Sequence, residues 1–232
     1  MREIDYKKYE NLDTVILDKH AAATIAEDCQ SFQCQLENHC AHVIMLMEQN
    51  IITKEEAGKI LKALLRLKEM GPDKIPFRPG LTDLYSNIEE WLIDELGIET
   101  GGKVHTGRSR NDMNSSVERV YTRRTILENI EAILFLMQTL LNKAEEHKET
   151  VIPGYTHHSQ QAQPVTLGHF YTSAFQAFSR DAERLLDAYK RVNLSTMGGA
   201  AIATTSFPIN RERTAELLGF DGYLLNSMDA TA

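Results

Sequence analysis

Between residues 105 and 112 the chain reads His105-Thr106-Gly107-Arg108-Ser109-Arg110-Asn111-Asp112, a run of polar side chains broken by one glycine. A helical pattern starts directly after it. Free backbone N–H groups and the positive end of the helix dipole therefore favour an anion here. Arg108 and Arg110 add fork-shaped donors suited to carboxylates. The same residues also suit a solvated turn in which Ser109 or Asn111 caps the helix. A second polar segment, Gly154-Tyr155-Thr156-His157-His158-Ser159-Gln160-Gln161-Ala162-Gln163-Pro164, offers hydroxyls, imidazoles and amides, groups that move and orient protons. A third, from Met197-Gly198-Gly199-Ala200 to Asn210-Arg211, begins with small residues that permit tight turns and close backbone approach. Its glycines follow a helix rather than a strand, so it reads as a tight connection into a short helix at 211–218, not a nucleotide loop.

Cys29, Cys34 and Cys40 lie close to His39 and His42, which raises the question of a metal cluster. There is no C-x-x-C, and no second ligand pair follows at zinc-site distance. The group reads instead as small, partly buried helix residues, with no metal assigned.

The elements that must position these segments are helical almost throughout. Leu36, Cys40, Val43 and Met47 share one helix face. Thr53-Lys54-Glu55-Glu56 is a capping box, followed by the apolar stripe Ile60, Leu61, Leu64, Leu65 and a stop at Gly71-Pro72. A third helix is predicted from Asp83 to Leu96, with Leu84, Ile88 and Trp91 inward and Gly97 as its stop. From Arg108 to Ile152 there is neither Gly nor Pro, which predicts a rod of roughly 50 Å. Another long helix is predicted from Pro164 to Val192. No strand pattern, repeat or linker is evident, so the expected fold is all-α. Helices of this length predict a bundle that packs against copies of itself.

Hydrophobic residues make up 42% and charged residues 25% of the chain, and the net charge is −8. This is the composition of a folded domain, without the basic face that nucleic acid requires. No run of about 18 apolar residues suggests a membrane span. The polar start, MREIDYKKYENLD, is unlike a signal peptide, so a cytoplasmic location is expected.

Taken together, the three polar segments resemble the fumarase/aspartase superfamily and, within it, the argininosuccinate lyases. His105–Asp112 matches the first shared region letter for letter. Gly154-Tyr155-Thr156-His157 with Ala162-Gln163-Pro164 is similar to the second. Gly198–Arg211 resembles a Gly-rich stretch ending Phe-Pro-Ile-Asp-Arg, with Asn210 in place of the Asp. Asp83–Glu89 is similar to a further family helix.

The resemblance implies a long-helix bundle, incomplete at its C-terminal end, with an N-terminal helical domain over 1–107 and the first part of the central bundle over 108–232. It implies a homotetramer with shared active sites and a β-elimination that releases fumarate from an N-succinyl amine. No cofactor is implied. Ser109, Arg110 and Asn111 would bind substrate carboxylates, with Thr156 beside them and Asp83 as an acidic site residue. Thr24, aligned with a family serine, would add a hydroxyl.

Three departures accompany the resemblance. The second segment carries an extra residue, so the acid/base histidine is His157 counted from Tyr155-Thr156 and His158 counted back from Ala162. Ala200 and Thr204 stand where the argininosuccinate lyases usually have glycine, which leaves other N-succinyl amines or aminopolycarboxylates open as substrates. Finally, the family's signature serine loop would lie beyond Ala232. The expectation is the N-terminal half of a longer lyase, with a non-catalytic short chain as the alternative.

Overall fold

Helix ends written into the local sequence set out this architecture. The computed structural model describes residues 28–76, 78, 81 and 83–231. Helix α1 (Phe32–Glu48) follows a 3-10 turn at Cys29–Ser31. Helix α2 (Lys54–Met70) opens on the capping box: Thr53 Oγ1 accepts the Glu56 N–H at 3.2 Å, and Glu56 Oε2 accepts the Thr53 N–H at 2.8 Å. It ends at Gly71, whose φ of 80° a side chain would strain. Asp83 caps α3 (Leu84–Leu96) by accepting the Ser86 N–H at 2.8 Å. A short α4 (Ile98–Gly101) and a 3-10 turn at Gly102–His105 lead into α5 (Arg110–Glu146). At 37 residues, α5 is about 55 Å long at 1.5 Å per residue.

The segment after α5 differs from the expected plain loop. Four two-residue strands, β1 (Val151–Ile152), β2 (Tyr155–Thr156), β3 (Gln160–Gln161) and β4 (Val165–Thr166), form two antiparallel ladders. β1 pairs with β4 (Ile152 opposite Val165) and β2 with β3 (Thr156 opposite Gln160). Strands this short carry no alternating pattern for a sequence reading to find. Helix α6 (Leu167–Val192) therefore starts at Leu167, not Pro164, with Thr166 Oγ1 accepting the His169 N–H at 3.1 Å. Helix α7 (Arg211–Leu217) is capped by Asn210, which accepts the Arg213 N–H at 2.9 Å. The fold is all-α apart from these ladders.

The chain packs as two units, one made of residues up to Tyr121 together with Leu194 onward, the other of Thr122–Asn193. The boundary anticipated between residues 107 and 108 lies within the first. That unit holds two apolar clusters. One joins Leu36, Val43 and Leu46 of α1 to Ile60, Leu64 and Leu67 of α2 and Leu84, Ile88 and Trp91 of α3, with Cys40 and Met47 at its edge. The other gathers Tyr85, Met113, Val117, Val120, Met197, Leu218 and Phe220. Leu65, expected in the α2 stripe, is 57% exposed, while Leu67 is fully buried. The α2 face is thus turned by part of a helical step towards Ala57, Ala63 and Leu67.

In the second unit α6 starts close against the end of α5. A Cβ on Gly168 would lie 2.6 Å from the Ala144 carbonyl oxygen, so only glycine fits there. Ile126, Met137 and Ala144 are buried on α5. Leu134, Phe135 and Leu141 of α5 and Phe170 of α6 are exposed. Among the described residues no helix is long and apolar enough to cross a membrane.

Candidate active site

The site in the first unit grows from a polar stripe on α1. Gln35, Asn38, His39 and His42 fall at i, i+3, i+4 and i+7, one helix face, and all four are buried. They lie beside the apolar face, and Asn38, His39 and His42 serve partners outside α1. Asn38 Oδ1 accepts from Ser116 Oγ of α5 at 2.5 Å. His42 Nε2 donates to the Thr106 carbonyl at 2.9 Å. Arg108 Nη2 donates to His39 Nδ1 at 2.9 Å, so the His39 proton resides on Nε2, since guanidinium cannot accept. Burial, reinforced by the Arg108 charge, holds both imidazoles neutral, with His42 pushed down to about 3 and His39 well below its ordinary value.

Arg108, expected among the anion-binding residues, is instead a buried anchor whose side chain is 0% exposed. Its guanidinium lies over the Tyr85 ring at 5.4 Å and donates to Glu89 Oε1 at 3.1 Å. The same Glu89 oxygen is 2.8 Å from His105 Nδ1, and the Tyr85 hydroxyl is also 2.8 Å from that nitrogen. Burial pushes the Glu89 carboxyl up, but the His105 hydrogen bond and the Arg108 charge outweigh it and hold the group at about 2. Glu89 is therefore a carboxylate, and His105 Nδ1–H donates to it.

The helix start that follows is tied to the Gly-rich stretch. Asp112 Oδ1 accepts the Ser109 N–H at 2.9 Å, and Ser109 Oγ accepts the Asn111 N–H at 3.3 Å, so Ser109 is the capping residue. Asp112 Oδ2 accepts the Gly198 and Ala200 N–H groups at 2.8 and 2.9 Å. Burial raises the Asp112 carboxyl even against these three donors. Asn111 Nδ2 donates to the Ala201 carbonyl at 3.3 Å. The first and third polar segments thus meet, and the third is more than a connection. Between them lies an open cleft of about 620 Å³ lined by His105, Thr106, Gly107, Ser109, Thr204 and Phe207 among others. At Gly107, φ is 71°, a conformation a side chain would strain, and a Cβ there would meet Ile209 Cγ2 at 3.1 Å. Ala200 and Thr204 adopt φ 53° and 62°, left-handed values usually left to glycine.

Of the residues singled out as substrate-binding, Asp83, Ser109, Arg110 and Asn111 come together here. Arg110 Nη1 donates to Asp83 Oδ2 at 2.7 Å from the first turn of α5, and about half of its side chain stays exposed. Asp83 therefore both caps α3 and holds Arg110. Thr24 lies outside the described residues. Thr156, His157 and His158 belong to the second unit, where residues 157–159 close the β2–β3 hairpin. His157, His158 and Ser159 all have positive φ, at 40°, 56° and 66°. Strain of this kind persists where the surroundings impose it and is frequent at functional loops. Thr156 Oγ1 and His157 Nδ1 are 3.0 Å apart, and the whole loop is exposed.

Chemically, the first unit presents donors (Ser109, Arg110, Asn111) at a helix start, which suits carboxylates, and the second presents imidazoles and a hydroxyl, which suit proton transfer. The reading from sequence missed Glu89, Tyr85 and the α1 histidines as supports. The spacing of Gln35, Asn38, His39 and His42 was the available signal, a polar stripe where a single apolar face was read. Cys29, Cys34 and Cys40 form no disulfide, and among the described residues no group of three or more His, Cys, Asp or Glu side chains is arranged to hold a metal.

The chain as a whole is similar to known proteins. The family described as "Lyase" matches residues 18–232. An argininosuccinate lyase of Methanocaldococcus jannaschii is 46% identical over 209 residues, 90% of this chain and 43% of that protein. One from Methanosarcina barkeri is 46% identical over 201 residues, 87% of this chain and 40% of that protein. Among solved structures, EDDS lyase in complex with formate aligns with a TM-score of 0.80 at 37% identity, covering 87% of this chain and 39% of that one. A fumarate lyase from Mesorhizobium sp. BNC1, at 21% identity and a TM-score of 0.69, covers 84% of this chain and 47% of that one and shares the fold. The chain spans about two fifths of the length of the curated relatives it matches.

Proposed function

The chain belongs to this lyase family, within the fumarase/aspartase superfamily, and from that premise we propose that it serves an argininosuccinate lyase. The reaction is a β-elimination. A base removes a proton from the succinyl carbon beside a carboxylate, the C–N bond to the neighbouring carbon breaks, and the amine leaves with a proton as fumarate forms. The products are arginine and fumarate, which places the enzyme in arginine biosynthesis. The observation that carries the reading is the 46% identity with an argininosuccinate lyase over 209 residues, 90% of this chain.

The geometry is consistent with this chemistry. A proton beside a carboxylate is barely acidic, so the carbanion must be held as an aci-carboxylate by donors already in place. Ser109, Arg110 and Asn111 supply such donors, and Asp83 keeps the Arg110 guanidinium oriented. Thr156 contributes to substrate binding, Thr24 adds a hydroxyl, and His157 or His158 moves the proton of the leaving amine. The reaction needs no cofactor. A homotetramer in the cytoplasm with shared active sites fits the exposed apolar side chains of α5 and α6, residues 108–232 contributing the first part of a central bundle.

A second reading, a lyase acting on another N-succinyl amine or aminopolycarboxylate, is favoured by the likeness to EDDS lyase at 37% identity. The higher identity to argininosuccinate lyases places it second. Fumarate release by the complete natural chain, measured with argininosuccinate and with aminopolycarboxylates in parallel, decides between them. Release from the aminopolycarboxylates alone would reverse the order, and release from none would remove both.

A further inference from the structure

His105 belongs to the first polar segment but carries none of the roles assigned above. Its ring is half-exposed, at 50%, and lines the 620 Å³ cleft together with Ser109. Behind it, away from solvent, Glu89 accepts from Nδ1 at 2.8 Å. Glu89 is itself fixed by Arg108, whose side chain is fully buried. A carboxylate that takes the Nδ1 proton sets the tautomer, so the neutral ring has its lone pair on Nε2. The charged and titratable groups around His105 are Glu89 and Tyr85 of α3, Arg108 of its own segment, and His39 and His42 of α1.

We propose that His105 is a substrate-contacting residue, its Nε2 accepting a hydrogen bond from an N–H of the amine that leaves. The inference rests on the lyase reading. Of the other polar side chains assigned to the first unit's site, Ser109, Arg110 and Asn111 supply donors that match carboxylates, while both Asp83 oxygens already accept, one from Arg110 and one from the Ser86 N–H. An N-succinyl amine also carries N–H groups, which need an acceptor. Nε2 of a histidine locked by Glu89 is an acceptor at the wall of the cleft that Ser109 also lines, one residue before Arg110. The arrangement parallels a general one in which a carboxylate fixes an imidazole's tautomer and leaves the other nitrogen to the reacting molecule.

The test uses the complete natural chain with argininosuccinate and three variants, each checked for an unchanged melting temperature. Asparagine carries its amide near the Nδ1 position and keeps the Glu89 contact, glutamine reaches the Nε2 position, and phenylalanine does neither. His105→Phe and His105→Asn should lower kcat/KM by about tenfold, the loss of one hydrogen bond to a charged partner, mainly through KM. His105→Gln should stay within a few-fold of the natural enzyme. His105→Phe with undiminished kcat/KM overturns the proposal. So does His105→Asn near full activity with His105→Gln depressed, since that pattern marks an anchor for Glu89 only. A natural chain that releases no fumarate sinks the lyase reading itself, and this contact with it, which separates the two failures.

Discussion

Arg110 reaches Asp83 from the first turn of α5 while half its side chain remains in solvent. Its ion pair is worth little to the fold and its free donors a good deal to an anion. Arg110→Ala is accordingly expected to leave the urea midpoint within about 0.5 kcal/mol of unchanged and to cost about 2 kcal/mol of transition-state stabilisation, read from kcat/KM of the complete chain. For the histidines, His157→Asn should lower kcat more than it raises KM. If His158→Asn is instead the damaging change, the register counted back from Ala162 is the right one. The buried groups speak to pH. His42 titrates near 6.5 when unfolded but is pushed down to about 3 by burial and Arg108. The unfolded chain therefore takes its proton first, and stability present above pH 6.5 is lost as pH falls towards 3. Glu89 acts lower: its contribution is complete above 4.5 and lost as pH falls towards about 2, roughly 3 kcal/mol in all. Denaturant midpoints should thus fall in two overlapping stages below neutrality, and Glu89→Gln should flatten the lower one.

At the scale of elements, caps and turns carry the argument. The Thr53–Glu56 box satisfies N–H groups that α2 leaves open, so Thr53→Ala should cost about 1 kcal/mol in a urea titration. Thr204 is the opposite case. It is an exposed β-branched residue held at φ 62° in a turn that lines the same cleft as His105. Relieving that conformation outweighs the extra entropy glycine loses on folding, so Thr204→Gly should stabilise by about 1 kcal/mol. A midpoint that drops instead would mean the Thr204 side chain makes a contact worth more than the strain. The long helices were legible because α5 and α6 contain no internal Pro and only Gly168 in the first turn of α6. The ladders at 151–166 were not, because two-residue strands have no period. The α2 face is offset from the sequence reading, with Leu67 buried and Leu65 exposed: adjacent positions such as Leu64 and Leu65 differ by 100° on a helix, and the packing of α1 and α3 chooses Leu64 together with Leu67, one turn on.

For the whole molecule, the proposed homotetramer is expected to sediment at four times the mass of the complete chain. Phe135, 77% exposed on α5, should then be covered by another copy, and Phe135→Glu should shift the sedimentation profile to smaller species. The sequence by itself determined the all-α class, the cap at Thr53, the breaks at Gly71 and Gly97, a helix start near Asp83, and the family, because these follow from local chemistry and from motifs read along the chain. Tertiary structure alone decided what Arg108 and Asp112 are for. Both sit in a segment that reads as an anion loop, yet one is drawn inward by Glu89, His39 and Tyr85, and the other is spent on the N–H groups of Ser109, Gly198 and Ala200. Those partners lie up to 88 positions away in the chain. A side chain's share between ligand and scaffold depends on which distant groups burial brings within hydrogen-bond reach, and spacing along the chain does not record that.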